Sequence, residues 1–317
     1  MTGDEAAAGD AEGPTVRGLV RSVTTAVASR PPLDLFLAAV PIPLLLVTLS
    51  VIPGTEAWRF SLAADGVLES RTTLWTAFAS SFVHTSDTHL VDNVVNYWLL
   101  IGVAYPLSVI AGWRRRLLYS MTVYLTVVPL LSAWATLSVL GTVTNAPAAG
   151  FSDINGALLG YLLVVWFAAL SRERPTTDPA DTRSGDHTNR DTIGVDARWS
   201  IVVALGALAV VFLAPGGIFY FPPLPIVAAL FGISAVVAAV ALRRTVGRPR
   251  IGGLDLQPSR ELLYVTAGSV AFAGVVGSLV FVPFGSNIYA HLIGFVVGFT
   301  VPYVALVVDG RPTAVSR

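Results

Sequence analysis

Apolar residues along this chain gather into eight runs parted by polar breaks: 33–53, 88–111, 116–140, 152–170, 199–215, 223–243, 261–282 and 287–308. A helix needs about 20 mostly apolar residues to cross the hydrocarbon of a bilayer. The pattern therefore predicts an all-α polytopic membrane protein, a helical bundle of about eight transmembrane helices. The fifth run is short, and Pro215-Gly216-Gly217 and Pro222-Pro223 break the chain beyond it. Between the runs, residues 1–32 read as a polar tail without the short apolar stretch of a cleavable leader. Residues 54–87 read as a long loop whose Trp58, Trp75 and Phe78 suit the lipid–water interface. Residues 171–198, rich in Arg, Asp, Thr and Pro, read as a mobile linker, and 309–317 as a short tail.

Composition agrees with the runs. The 317 residues are 54% hydrophobic and 13% charged, against about 25% charged in a soluble domain. Formal net charge is zero, so no global field points to a nucleic-acid partner. Cysteine is absent, which excludes disulfides and thiolate metal sites. All 20 basic residues are arginine, and 18 fall in segments on one side of the map when the helix edges are counted. Only Arg59 and Arg71, both in 54–87, fall on the other. Basic residues collect on the cytoplasmic side of membrane proteins. The expected topology is thus a multi-pass protein of the cell membrane with both termini cytoplasmic and 54–87 outside.

Three of the four histidines lie in or beside the apolar runs, where ionisable groups are costly and default to function. His89 and Asn93 share one helix face at i, i+4, and His84 sits in the loop before them, where capping or a bond to a loop carbonyl would occupy it. Ser152, Gly156 and Gly160 lie along one face of the fourth span. His291, Gly294 and Gly298 form a similar rail in the eighth. Small-residue rails let helix backbones approach closely, so these two helices are expected to pack and bring Ser152 within reach of His291. Taken alone, each rail is equally a packing face. A serine, a distant histidine and added hydrogen-bond donors are the parts of nucleophilic hydrolysis.

Three stretches together, WTAFASSFVHTSDTHLVDN, GFSDINGALLGY and AHLIGFVVG, resemble the rhomboid family of intramembrane serine proteases. The matching positions are Trp75, His84, His89 and Asn93, then Gly150 and Ser152, then His291, Gly294 and Gly298, in the family's order. Asp153 stands where the family usually has glycine, Gly156 where it has an aromatic residue, and Thr76 where an arginine often follows the tryptophan. The resemblance implies a Ser152–His291 dyad, with Asn93, His89 and the Ser152 N–H supporting the oxyanion. His84, Trp75 and the glycines would be structural. It implies transmembrane protein substrates cut near the outer face, no cofactor and no metal. Asp153, turned about 100° from Ser152, is expected to face water or an outer arginine. The family core has six spans, one of them between the serine and histidine helices. Three are expected here, an even excess that keeps both residues on one side. The added hairpin is expected at 199–243.

Other readings stay open: a catalytically inactive rhomboid-like protein that binds membrane clients, a transporter using the polar residues as a pathway, or a metal site of His84, His89 and His291. Against the last, His-x4-His is not a usual ligand spacing and no HExxH is present.

Overall fold

Pro41 decides the shape of the first span. In a computed structural model, which describes residues 20, 32–173, 195–214, 223–249, 258–281 and 287–309, the expected run 33–53 forms two helices. These are α1 (Pro32–Ala39) and α2 (Pro41–Val51). Proline has no N–H and clashes with the carbonyl four residues earlier, so Pro41 and Pro43 leave carbonyls without helical partners. The next span, α4 (Asp87–Ile110), reaches across this break: Trp98 donates its indole N–H at 2.8 Å to the Ala39 carbonyl, which Pro43 leaves free, and Tyr97 its hydroxyl to the neighbouring Ala38 carbonyl at 2.5 Å. Backbone groups at membrane depth must be satisfied within the protein.

The third run behaves the same way. It divides into α5 (Arg114–Thr126) and α6 (Val128–Leu140), bent by 41°, with Pro129 in the first turn of α6. The remaining runs form α7 (Ser152–Leu170), α8 (Ser200–Leu213), α9 (Pro225–Thr245), α10 (Pro258–Val275), which runs on through a wider turn at Val276–Val280, and α11 (Ile288–Asp309). The described residues hold no strand beyond one isolated bridge. Six helical segments are long and apolar enough to cross a membrane, and the bent pair α5–α6 would make a seventh. The fifth expected run, here Ala197–Leu213, is apolar but shorter. The protein is therefore a multi-pass helical membrane protein.

At the centre stands α7, with 94% of the residues in its apolar stretch buried, whereas the no less apolar α9 is 11% buried and leaves its surface for lipid. It packs chiefly against α11, then α4 and α10. The pair α8–α9 packs mainly on itself, with Phe212 and Phe231 stacked at 5.4 Å, and meets α7 chiefly through α8.

Two expected loops are more ordered than their composition suggested. Within 54–87 lie α3 (Arg71–Ala79) and short 3-10 turns at Thr55–Trp58 and Ser80–Phe82. Phe60, Leu62, Val67 and Ala77 form a small core with Ala133 and Leu140 of α6. Phe60 and Ala148 exchange two backbone hydrogen bonds, at 2.9 and 2.8 Å. The expected linker 171–198 is folded at both edges. Glu173 is buried and accepts hydrogen bonds from Arg260 at 2.9 Å and Tyr264 at 2.5 Å, and Val195 is buried. Residues 174–194 lie outside the described residues, as do 310–317 and all of 1–32 except Val20 and Pro32.

Candidate functional site

The contact between α7 and α11 is backbone on backbone. A methyl group added at Gly156 would sit 2.7 Å from the His291 carbonyl oxygen. One at Gly160 would overlap the Phe295 carbonyl, at Gly294 the Asp153 carbonyl, and at Gly298 the Ala157 carbonyl. All four glycines of the two rails are thus required by space. The partners advance together along both helices, so α7 and α11 run parallel, and Ser152 and His291 enter from the same end.

Ser152 is the first residue of α7, preceded by Phe151 with no side-chain cap. The first N–H groups of a helix have no partner within it. The Ile154 N–H is taken by the Asp153 carboxylate at 2.7 Å. Ser152, His291, His89, Asn93 and Gly156 all line one cavity of about 730 Å³ between α4, α7, α10 and α11. His291 Nδ1 lies 2.9 Å from the Ser278 carbonyl in the turn that ends α10. A carbonyl oxygen only accepts, so Nδ1 carries the proton and Nε2 keeps its lone pair. Among the described residues, the Ser152 hydroxyl makes no hydrogen bond, to His291 or otherwise.

Asn93 is buried and donates from Nδ2 to the His89 carbonyl at 2.9 Å, which leaves a second N–H of the same amide. Its carbonyl and amide oxygens accept from Asn155 Nδ2 at 3.0 and 3.2 Å. Asn155, three residues beyond Ser152, also lines the cavity. It was not singled out from the sequence, although an amide one turn from the serine in an apolar run was signal enough.

Gly150 has φ +126° and lies under the His89 ring, so an added methyl would fall 2.8 Å from Nε2 and nearer still to Cε1. Backbone conformation and space both require glycine there. The His84 ring meets His89 edge-on at 5.3 Å. It neither caps α4 nor bonds a loop carbonyl, contrary to expectation. Ser86 is the cap, accepting from the His89 N–H at 3.2 Å, and both His84 ring nitrogens are buried without a hydrogen-bond partner. Burial first, and then the His89 ring, push the His84 imidazole down to about 4. Trp75 lies away from the cavity and half-exposed. It belongs to a chain of rings that runs from Trp58 through Trp75, Phe78 and Phe82 to Phe151 beside the serine, and on to Tyr97.

Asp153 corrects an expectation. It faces neither water nor arginine but is buried at 2% exposure, accepting from the Ser81 hydroxyl at 2.7 Å. Its side chain points behind Ser152, into a small polar void of about 40 Å³ lined by Ser81, Ser132, Thr136 and Asn287. The structured segment 80–82 supplies that partner, which a reading of 54–87 as an open loop could not foresee. No family model, curated protein or solved structure matches this chain.

Proposed function

We propose that this protein is an intramembrane serine endopeptidase of the rhomboid type, working through a Ser152–His291 dyad. One observation carries the reading: the α7–α11 glycine contact holds Ser152 on a cavity wall shared with a histidine whose Nδ1 is fixed by the Ser278 carbonyl. That tautomer leaves Nε2 as the acceptor a general base needs. Ser152 Oγ attacks the substrate carbonyl while His291 Nε2 takes its proton. The tetrahedral intermediate collapses as His291 returns the proton to the departing amine, leaving an acyl-serine. Water, activated by His291 in turn, releases the acid and restores the serine. The Ser152 N–H, the free Asn93 amide N–H and His89 are the oxyanion donors. Removing one such donor costs on the order of 10²-fold in rate. The substrates are transmembrane proteins, cut near the outer face of the cell membrane, with both termini of the enzyme cytoplasmic.

The test is cleavage of a model transmembrane substrate by reconstituted protein. Ser152→Ala and His291→Ala are expected to lose at least about 10³-fold, and a fluorophosphonate probe to label wild type and not Ser152→Ala. Equal cleavage by all three would end the reading. The buried carboxylate of Asp153 beside the serine favours a second reading, a client-binding protein of the same fold that does not cut. Folded protein that binds a transmembrane peptide, yet neither cleaves it nor reacts with the probe, is the outcome that reading requires.

A further inference from the structure

Beyond the dyad and its donors, the 730 Å³ cavity has a charge that no step of hydrolysis uses. Of the residues lining it, Asp92 alone carries a carboxylate, and none is an arginine. The four ion pairs among the described residues go to Asp34, Asp196, Asp309 and Glu173, and the titratable group of this chain whose charge Asp92 meets is the His89 imidazole, three residues earlier on α4. Asp92 lies five residues into α4, about 7 Å along the axis from the helix start at 1.5 Å per residue, and its side chain is exposed to the cavity. A charge at that depth persists where it faces water or a partner of opposite sign.

Position relative to the serine follows from the hydrogen bonds. Asn155 bonds Asn93, the neighbour of Asp92, which brings the Asp92 level of α4 beside Asn155 of α7. Asn155 is one turn beyond Ser152, about 4.5 Å along the axis. Asn96, one turn on along α4, adds an amide to the same cavity wall, while Thr266 and Ser269 of α10 line its deeper end, since Gly268 between them meets Trp166 far along α7. A carboxylate with an amide one turn away on the same wall is a receptor for an ammonium or guanidinium group, whose N–H donors need oxygens.

We propose that Asp92 determines substrate choice, selecting transmembrane segments that carry an arginine or lysine within a residue or two of the scissile bond. The proposal rests on the protease reading above. It would make the enzyme discriminating, because basic residues are scarce on the outer flank of membrane spans. The long apolar stem of either side chain suits the rest of the cavity, lined by Leu99, Leu100 and Leu159.

The experiment uses full-length protein in liposomes and one model transmembrane substrate in which Arg, Gln or Glu is placed in turn at about three positions on each side of the cleaved bond. Binding is read separately, by photo-crosslinking of the same peptides to Ser152→Ala. At one or two adjacent positions wild type is expected to prefer Arg over Gln by about tenfold, the scale of one hydrogen-bonded charge, and to reject Glu. Asp92→Asn should erase that preference, and Asp92→Arg should invert it toward Glu. Thermal unfolding confirms that each variant is folded. Cleavage without charge preference at any position, or a preference unchanged in Asp92→Asn, overturns the assignment of Asp92. If no peptide is cleaved but Ser152→Ala crosslinks Arg peptides preferentially and loses that preference with Asp92→Asn, the protease reading fails and the cation subsite stands. No cleavage and no charge preference in crosslinking overturns both.

Discussion

His84 shows what a buried polar side chain without a partner does to its host. Its ring nitrogens have no hydrogen bond, and its pKa is pushed from the ordinary 6.5 to about 4. The unfolded chain therefore takes up a proton first as pH falls, and by linkage the folded state loses stability between about 6.5 and 4 and keeps it above 6.5. Thermal unfolding in detergent should show a midpoint that falls from about pH 7 to about pH 5, and His84→Gln should flatten that fall. Equal slopes in the two proteins would mean the ring is solvated after all. At this scale the sequence displayed most of the site, because Ser152, His89, Asn93 and His291 are polar groups in apolar runs and stand out against their neighbours. It did not display the Ser278 carbonyl, since every residue has one and only the fold selects which meets Nδ1. Nor did it display the partner of Asp153, because Ser81 lies 72 residues away in a stretch without periodicity.

Helices add a constraint that single residues lack. The two glycine rails were legible as spacing, but spacing does not say which helix a rail meets. The structure pairs them, with Gly298 set against the Ala157 backbone and Gly160 against Phe295. Backbone cannot rotate aside as a flexible side chain can, so Gly298→Ala must push α11 from α7 or kink it. Overpacking of this kind costs about 1–3 kcal/mol or more. Because α11 carries His291, a displacement of about 1 Å at the site would reduce cleavage by roughly 10²-fold. Gly102→Ala in α4 is the control: the added methyl meets nothing within 4 Å, and alanine is the better helix former by about 1 kcal/mol. Unfolding and cleavage measured on both should separate them, with Gly102→Ala at or above wild type in stability. If the two variants behave alike, close backbone contact is not what holds the dyad. The breaks at Val40 and Val127 belong to this scale too. Pro41, Pro43 and Pro129 were in view, but inside a bundle a proline breaks a span only if neighbours can take up the freed carbonyls, and Trp98, which takes up that of Ala39, is remote in sequence.

Across the whole molecule, sidedness is the property that matters, because it decides which compartment the serine faces. Contacts between distant helix ends fix which ends lie together. Asp309, at the end of α11, pairs with Arg116 at the start of α5. Asn287, just before the start of α11, donates to Thr136 near the end of α6 at 2.7 Å. Between them Tyr124 donates to the Gly298 carbonyl at 2.8 Å. The bent pair α5–α6 thus runs the full length of α11 in the opposite direction, and the 41° bend does not make it re-entrant. Glu173 with Arg260 and Asp34 with Arg114 join further ends on the Arg116 side. The Phe60–Ala148 bridge, beside the serine, lies on the Asn287 side, since both residues line the void behind Asp153 with Asn287. The proposed orientation, with the Arg116 side cytoplasmic, rests on the arginine distribution. Single cysteines test this cleanly, because the chain has none of its own. Ala63→Cys, exposed near the bridge, should react with an impermeant maleimide on intact cells. Arg248→Cys, beyond α9, should react only after permeabilisation, which requires that α8 and α9 both cross or that neither does. Labelling of both positions on intact cells would leave the α8–α9 pair short of a full hairpin, and labelling of Arg248→Cys alone would turn the serine toward the cytoplasm.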